Sequence, residues 1–353
     1  MVKTLKCLTC GADLLFDPAT QQWKCEWCDS EFTEKDLGSG ETTSDKSVYD
    51  TAQDPVEPLS EDNIKVYDCN YCGAEVITDT VTSATFCVYC QRPVVMVPRL
   101  SGEFKPCVII PFQNTKEQAM DAFRQYLKKK RFIPNAYKSD QNIEKLTGVY
   151  TPFWIYKGEV GFNIRGEGDI VSVRRSGDYR ITKTDTYNIA REGNIKIENI
   201  PVDASSKTPN DIMDSVEPFD FEKLTDFSTH FLSGFLAERY DEDKEKVYHR
   251  ARTRFEGSAE NKIRESLKSY SSVRRHTDKK RVDRISSRYG LLPVWLLYST
   301  YKNKRYIYAM NGQTGKITGN LPVDSGKVFR FGAMIFAIFG ALGGLASLLY
   351  QSV

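Results

Sequence analysis

The chain's 353 residues are enough for two or three domains, and its 40% hydrophobic and 27% charged content is that of ordinary globular segments. With 49 Lys and Arg against 47 Asp and Glu, the formal net charge is only +2. That excludes a global field that recruits nucleic acid, so any basic partner surface has to be local.

Residues 1–35 carry Cys7, Cys10, Cys25 and Cys28 as C-x2-C … C-x2-C. Four thiolates in two close pairs make a complete tetrahedral shell for Zn2+. A closed shell leaves no position for water or substrate, so the expected metal is structural and not catalytic. Gly11 follows the first knuckle, where a tight turn directs backbone N–H groups at sulfur. Residues 12–16 and 22–24 read as two short strands joined by Asp17-Pro18, the layout of a zinc ribbon. Residues 36–63 then turn acidic, with only Lys46 opposing, and read as a flexible linker.

Residues 64–97 repeat the first set. Cys69, Cys72, Cys87 and Cys90 each stand 62 residues beyond their counterparts. Gly73-Ala74-Glu75-Val76-Ile77 also echoes Gly11-Ala12-Asp13-Leu14-Leu15. Two ribbons, and two structural Zn2+ ions, are therefore expected. Met1-Val2-Lys3-Thr4 runs into Cys7 with no signal-like stretch, which fits thiolates kept in a reducing cytosol. The ninth cysteine, Cys107, sits in an apolar strand and reads as a core residue.

Residues 98–326 read as a mixed α+β cytosolic domain. A strand at 108–112 leads to a capping box at Thr115-Lys116-Glu117-Gln118, then to Met120, Phe123 and Leu127 at helical spacing. Lys128-Lys129-Lys130-Arg131 ends that helix, where cations suit the macrodipole. An aromatic strand over 148–156 opens a run of strand patterns to about residue 200, broken by Gly158, Gly166, Gly168, Gly177 and Gly193. Helical patterns follow over 222–239 and 244–272. A hairpin with arms at 292–298 and 305–310 closes the domain, and Asn311-Gly312 turns into Lys316-Ile317.

Residues 327–353 read as a C-terminal membrane anchor. The run 331–350 carries no charge, and twenty residues at about 1.5 Å each span about 30 Å, the thickness of a bilayer core. Lys327 and Arg330 precede it and place the bulk of the chain in the cytoplasm. The expected location is thus the cell membrane, single-pass. Gly340 and Gly344 form a G-x-x-x-G face suited to self-association.

No catalytic constellation is visible. His230, His249 and His276 show no metalloprotease spacing, Gly312-Gln313-Thr314-Gly315-Lys316 is too short for a phosphate loop, and no nucleophile elbow occurs. The chain reads as a non-enzyme. The cluster Arg274, Arg275, His276, Lys279, Lys280, Arg281 and Arg284 reads as a solvated face, with anionic lipid or nucleic-acid phosphate as functional alternatives.

Together these features resemble bacterial membrane-anchored proteins with a transcription-factor-IIB-type zinc ribbon, the YdjG-like group. The matching motifs are Cys7-Leu8-Thr9-Cys10-Gly11, residues 148–154, Phe231-Leu232-Ser233-Gly234-Phe235-Leu236-Ala237-Glu238-Arg239-Tyr240-Asp241, and Asn311-Gly312-Gln313-Thr314-Gly315-Lys316. The resemblance implies a scaffold that works with membrane-associated protein partners, SPFH-type proteins included, in envelope maintenance or stress. The expectation is a non-enzymatic, membrane-anchored zinc scaffold: two four-cysteine ribbons on a tether, an α+β domain and one transmembrane helix. The alternative is a nucleic-acid-binding ribbon protein in which Trp27 and Tyr89, inside the knuckles, stack on bases.

Overall fold

Among the described residues long strands with few breaks dominate, at 43% strand against 27% helix. The computed structural model describes residues 6–37, 64–68, 75–79, 87–89, 95–96 and 106–351. Within the first cysteine set, β1 (Leu14–Asp17), β2 (Gln22–Cys25) and β3 (Glu31–Phe32) form a small antiparallel sheet. The next strands are β4 (Ile64–Asp68), β5 (Glu75–Asp79), β6 (Val95–Met96), β7 (Val108–Ile109), β8 (Thr147–Ser176) and β9 (Tyr179–Asp203). They are followed by β10 (Thr225–Asp226), β11 (Leu236–Glu238), β12 (Ser272–Tyr301), β13 (Lys304–Asn311) and β14 (Ile317–Gly319). The helices are α1 (Lys116–Lys128), α2 (Asp140–Ile143), α3 (Asn210–Val216), α4 (Lys244–Ser266) and α5 (Ser325–Gln351).

The larger sheet runs β10-β7-β12-β8-β11-β5-β4-β6, with β9 on the outer side of β8 and β13 on β12. At its centre β8 pairs with β12 from Thr147↔Leu296 to Asp169↔Ser272. The first ten residues of β8 read T-G-V-Y-T-P-F-W-I-Y and are buried on both faces beyond Thr147, as a central strand requires. Further along, Val160, Ile164, Gly166 and Gly168 are buried while Glu159, Arg165 and Glu167 are not. That alternation puts one face of the arm on α4 and leaves the other in water. Helix α4 answers with Val247, Ala251, Phe255, Ala259 and Ile263, a buried stripe at every fourth residue.

Several expectations change. The architecture is mostly β-sheet, not the α+β mixture with a membrane helix read from the sequence. The expected strand breaks at Gly158, Gly166, Gly168 and Gly193 do not occur. A Cβ on Gly158 would meet Ile285 and Phe255, one on Gly166 the Arg274 carbonyl of β12, and one on Gly168 would stand 2.5 Å from Ile189 and 2.6 Å from the Tyr270 ring. Only Gly177, at φ +59°, makes a turn. The helix expected over 222–239 is replaced by two short 3-10 turns, β10 and β11. The Asp220 and Ser228 side chains accept the backbone N–H groups of Glu222 and His230, closing local turns that compete with a helix. Phe227, Phe231, Leu232 and Phe235 are then drawn into the core. The helical pattern after 244 ends at Ser266, and Ser272 already begins β12.

No helix among the described residues is long and apolar enough to cross a membrane, which overturns the C-terminal transmembrane helix and leaves single-pass membrane placement without support. The first turns of α5 are polar and tied to the domain. Lys327 donates to the Ile133 carbonyl at 2.6 Å and to Asn135 Oδ1 at 2.7 Å.

The α1 capping box is present, with Thr115 and Gln118 bonded reciprocally. The basic cluster on β12 is largely neutralised. Arg275 and Lys280 both lie 2.9 Å from Glu260, and Arg274, Arg281 and Arg284 meet Glu167, Asp283 and Glu159. Burial pushes Glu260 less than its Arg275 and Lys280 bonds pull it, and its carboxyl falls to about 2. This is the solvated face, laced with ion pairs, and not a free cationic surface.

The α4 stripe predicts where stability lies. Phe255 is fully buried between α4 and the arm, so Phe255→Ala should cost about 3–5 kcal/mol, measured by urea unfolding. Arg281→Ala, on an exposed pair, should change stability by less than about 0.5 kcal/mol.

Candidate metal centre and its surroundings

The two knuckles of the first ribbon are built alike. In each, a backbone N–H closes on the first cysteine's carbonyl: Gly11 to Cys7 at 2.9 Å, and Asp29 to Cys25 at 3.0 Å. Each first cysteine then donates its own N–H onward, Cys7 to Ala12 and Cys25 to Ser30. The closing residues take positive φ, +75° at Gly11 and +55° at Asp29. Glycine does so without strain, and Asp tolerates it better than most residues.

These turns bring Cys7, Cys10, Cys25 and Cys28 into one group, all four sulfurs within 4.8 Å of one another. Cys7 Sγ lies 3.5 Å from Cys28 Sγ, and Cys10 Sγ 3.5 Å from Cys25 Sγ. Sulfurs held at about 2.3 Å on a tetrahedral metal are separated by roughly 3.8 Å, so the set fits a metal ion. Burial pushes the Cys7 thiol up, but the N–H groups of Cys10 and Thr9 overcome it and bring it down to about 6. At Cys10 the Ala12 N–H favours the thiolate, yet the sulfurs of Cys28 and Cys25 push it up to about 12. Four sulfurs this close cannot all ionise by themselves, and a divalent cation removes that conflict. Of the second set, only Cys87 is described, and it is buried. Cys69, Cys72 and Cys90, and residues 38–63 of the expected linker, lie outside the described residues.

The first ribbon is packed against the main domain. Phe16 and Trp23 are buried with Phe231, whose ring centroid lies 5.4 Å and 5.3 Å from theirs. The Trp23 indole N–H donates to the His230 carbonyl at 2.9 Å, and the Gln21 amide to that of Phe112 at 2.8 Å. Beside this contact opens a groove of about 1020 Å3, bounded by the first ribbon, the start of α1 and Cys87-Val88, with Phe235, Leu236 and Trp295 lining it. Glu26 stands on its rim.

The repeat's two knuckle aromatics have opposite fates. Trp27 is 84% exposed, as is Leu8 at 67% in the facing knuckle. Tyr89, at the matching position 62 residues on, is 4% exposed and cannot stack on a base. Its hydroxyl donates to Glu238, which also accepts from Ser205 Oγ at 2.5 Å. Tyr298, packed edge-on to Tyr89 at 5.3 Å, bonds Thr208 at 2.7 Å. Asp203 completes this buried polar group. Burial pushes its carboxyl well above the usual range, and the neighbouring Glu238 charge adds to that. Nothing in the sequence marked this group, because Glu238 and Asp203 come from distant strands and their burial is a tertiary fact. The three histidines are not brought together with the cysteines. His249 is exposed on α4, His276 lies 3.9 Å from Glu167 on the arm, and burial lowers His230.

The chain is 34% identical over 328 residues to a Bacillus subtilis (strain 168) protein described as the uncharacterized protein YdjG, covering 93% of this chain and 92% of that one. No protein-family model and no solved structure matches it.

Two outcomes test the site. Cys25→Ser should remove one equivalent of bound metal per chain by elemental analysis; unchanged metal content would refute the ligand set. Burial, opposed by the Ser205 and Tyr89 bonds, raises Glu238 from 4.5 to about 7. The folded state then holds a proton that the unfolded chain releases. Stability should therefore fall as pH rises from about 5 to 7, by about 3 kcal/mol at most, and level off above. Glu238→Gln should flatten this slope in urea unfolding, leaving only the same-signed share of Asp203.

Proposed function

The chain belongs to the YdjG family, and from that starting point we propose that it is a non-enzymatic adaptor whose zinc-held first ribbon recruits a protein partner through Trp27. The carrying observation is the contrast within the repeat. Tyr89 shows how a knuckle aromatic docks when a receptor is present, in this case the chain's own Glu238 and Tyr298. Trp27 occupies the same place in the first repeat and is left in water. Tryptophan is among the residue types most enriched at interface hot spots, and the exposed Leu8 flanks the same four sulfurs and adds apolar area beside it.

The metal is structural in this reading. Zn2+ is the cation that suits four thiolates, and a second Zn2+ at Cys69, Cys72, Cys87 and Cys90 follows from the identical spacing. The ion fixes the two turns and so holds Leu8 and Trp27 rigid, lowering the entropy lost on binding. The groove beside Glu26 extends the surface available to a bound segment, and Lys24, Lys116, Lys145, Glu26 and Glu117 are among the residues that line it. Mixed charge over apolar walls suits a peptide more than a small metabolite.

The test compares full-length wild-type protein with Trp27→Ala in quantitative pull-downs, since the first ribbon is packed on the domain. Wild type should recover a discrete set of proteins that the variant loses, with about 2 kcal/mol or more of affinity removed and metal content unchanged. Equal recovery by both proteins would sink the proposal.

A further inference from the structure

The arm ends in a feature that folding does not need. Strand β12 stops pairing at Ser272↔Asp169, and β8 and β9 continue alone from Ile170↔Asp185 to Ser176↔Tyr179. This two-stranded tip extends about 23 Å beyond the three-stranded sheet. A lone hairpin is marginal in water, and its side chains are almost all exposed.

At the tip, Arg175 stands directly opposite Arg180. Cross-strand partners share a face with Cβ atoms about 5 Å apart, and like charges there are destabilising. Elsewhere on the arm many cations are neutralised, as in Arg274–Glu167, Arg275–Glu260 and Arg284–Glu159, and the unpaired ones among the described residues, such as Arg165 and Lys279, do not stand opposite another cation. Among the described residues, neither Arg175 nor Arg180 has an acidic group within 4.0 Å, although Asp178 lies in the connecting turn. Behind the arginines on the same face come the pairs Val173↔Thr182 and Val171↔Thr184. All four of these side chains are exposed, Val171 at 42% and Val173 at 49%. Arg174 projects from the opposite face, paired with Ile181.

We infer that this tip is a binding site for duplex nucleic acid, with Arg175 and Arg180 gripping backbone phosphates. An uncompensated arginine pair is an anion site, and its guanidiniums match phosphate in a bidentate fork. A two-stranded ribbon fits a major groove about 12 Å wide. The face behind the arginines supplies hydroxyls and methyl groups, the chemistry that meets base edges. The near-neutral charge of the whole chain is no obstacle, because the positive charge is local.

The test uses the full-length, metal-loaded protein and a fluorescent 30-base-pair DNA duplex over a salt series. Wild type should bind at low salt with an affinity that falls steeply as salt rises. Arg175→Ala/Arg180→Ala should bind about 10-fold more weakly, with the salt slope reduced by about 2. Arg281→Ala/Arg284→Ala, on neutralised positions of the same arm, should leave both unchanged. The tip carries no core residue, so thermal stability and metal content should hold in both variants. Three results would overturn the assignment: no binding by wild type, an unchanged salt slope in the tip variant, or arginine-dependent binding to anionic phosphatidylglycerol vesicles without binding to the duplex.

Discussion

Everything in this molecule hangs on the pairing of β8 with β12. From Thr147↔Leu296 to Asp169↔Ser272 the two strands share one ladder, interrupted only by bulges near Arg275 and Asp283. At its base the ladder is buried on both faces, and β7, β11 and β13 attach there. Past Tyr156 one face loses its cover and α4 takes up the other. The same two strands therefore serve as the centre of a core and as the spine of an arm. The change is written in burial, from continuous to alternating, with no break in hydrogen bonding.

The ladder also explains how two similar ribbons come to differ. The second repeat contributes β5, which pairs with β11 next to β8, and that juxtaposition lets Tyr89 reach Glu238. The first repeat contributes no strand to the large sheet. It is held mainly by side chains, Trp23 and Phe16 against Phe231, with one backbone bond from the Phe16 N–H to the Ser233 carbonyl, through its hairpin and not its knuckle tips. Its tips stay in water for that reason. One sequence unit, used twice, becomes an internal joint in one place and an exposed surface in the other.

Charge is organised on the same frame. The arm is rich in cations, and many of them meet acids of the same strand, the neighbouring strand or α4, with Glu260 engaging both Arg275 and Lys280. The buried carboxyls show the opposite case: hydroxyls of Tyr89 and Ser205 donate to Glu238, the Ser205 N–H donates to Asp203, and burial drives both carboxyls toward their neutral forms. Arg175 and Arg180 fall under neither arrangement.

The local signals proved legible wherever backbone chemistry is short-range. The cysteine spacing and Gly11 specify the knuckle turns, because sulfur geometry and positive φ involve only neighbours in the chain. The capping box at Thr115 and the stripe from Val247 to Ile263 specify α1 and α4, since helical periodicity is carried by adjacent turns. Tertiary structure decided the rest. Gly158, Gly166 and Gly168, which seemed to break the strands, make room for Ile285, the Arg274 backbone, Ile189 and Tyr270, and the apparent helix over 222–239 yields to aromatic burial. Whether a knuckle aromatic meets water or a buried carboxylate depends on which strand lies beside it, and so does whether an arginine finds an acid. The decisive neighbours, such as Glu238 beside Tyr89 and Glu167 beside Arg274, are set by pairing between residues a hundred or more positions apart, which no local pattern records.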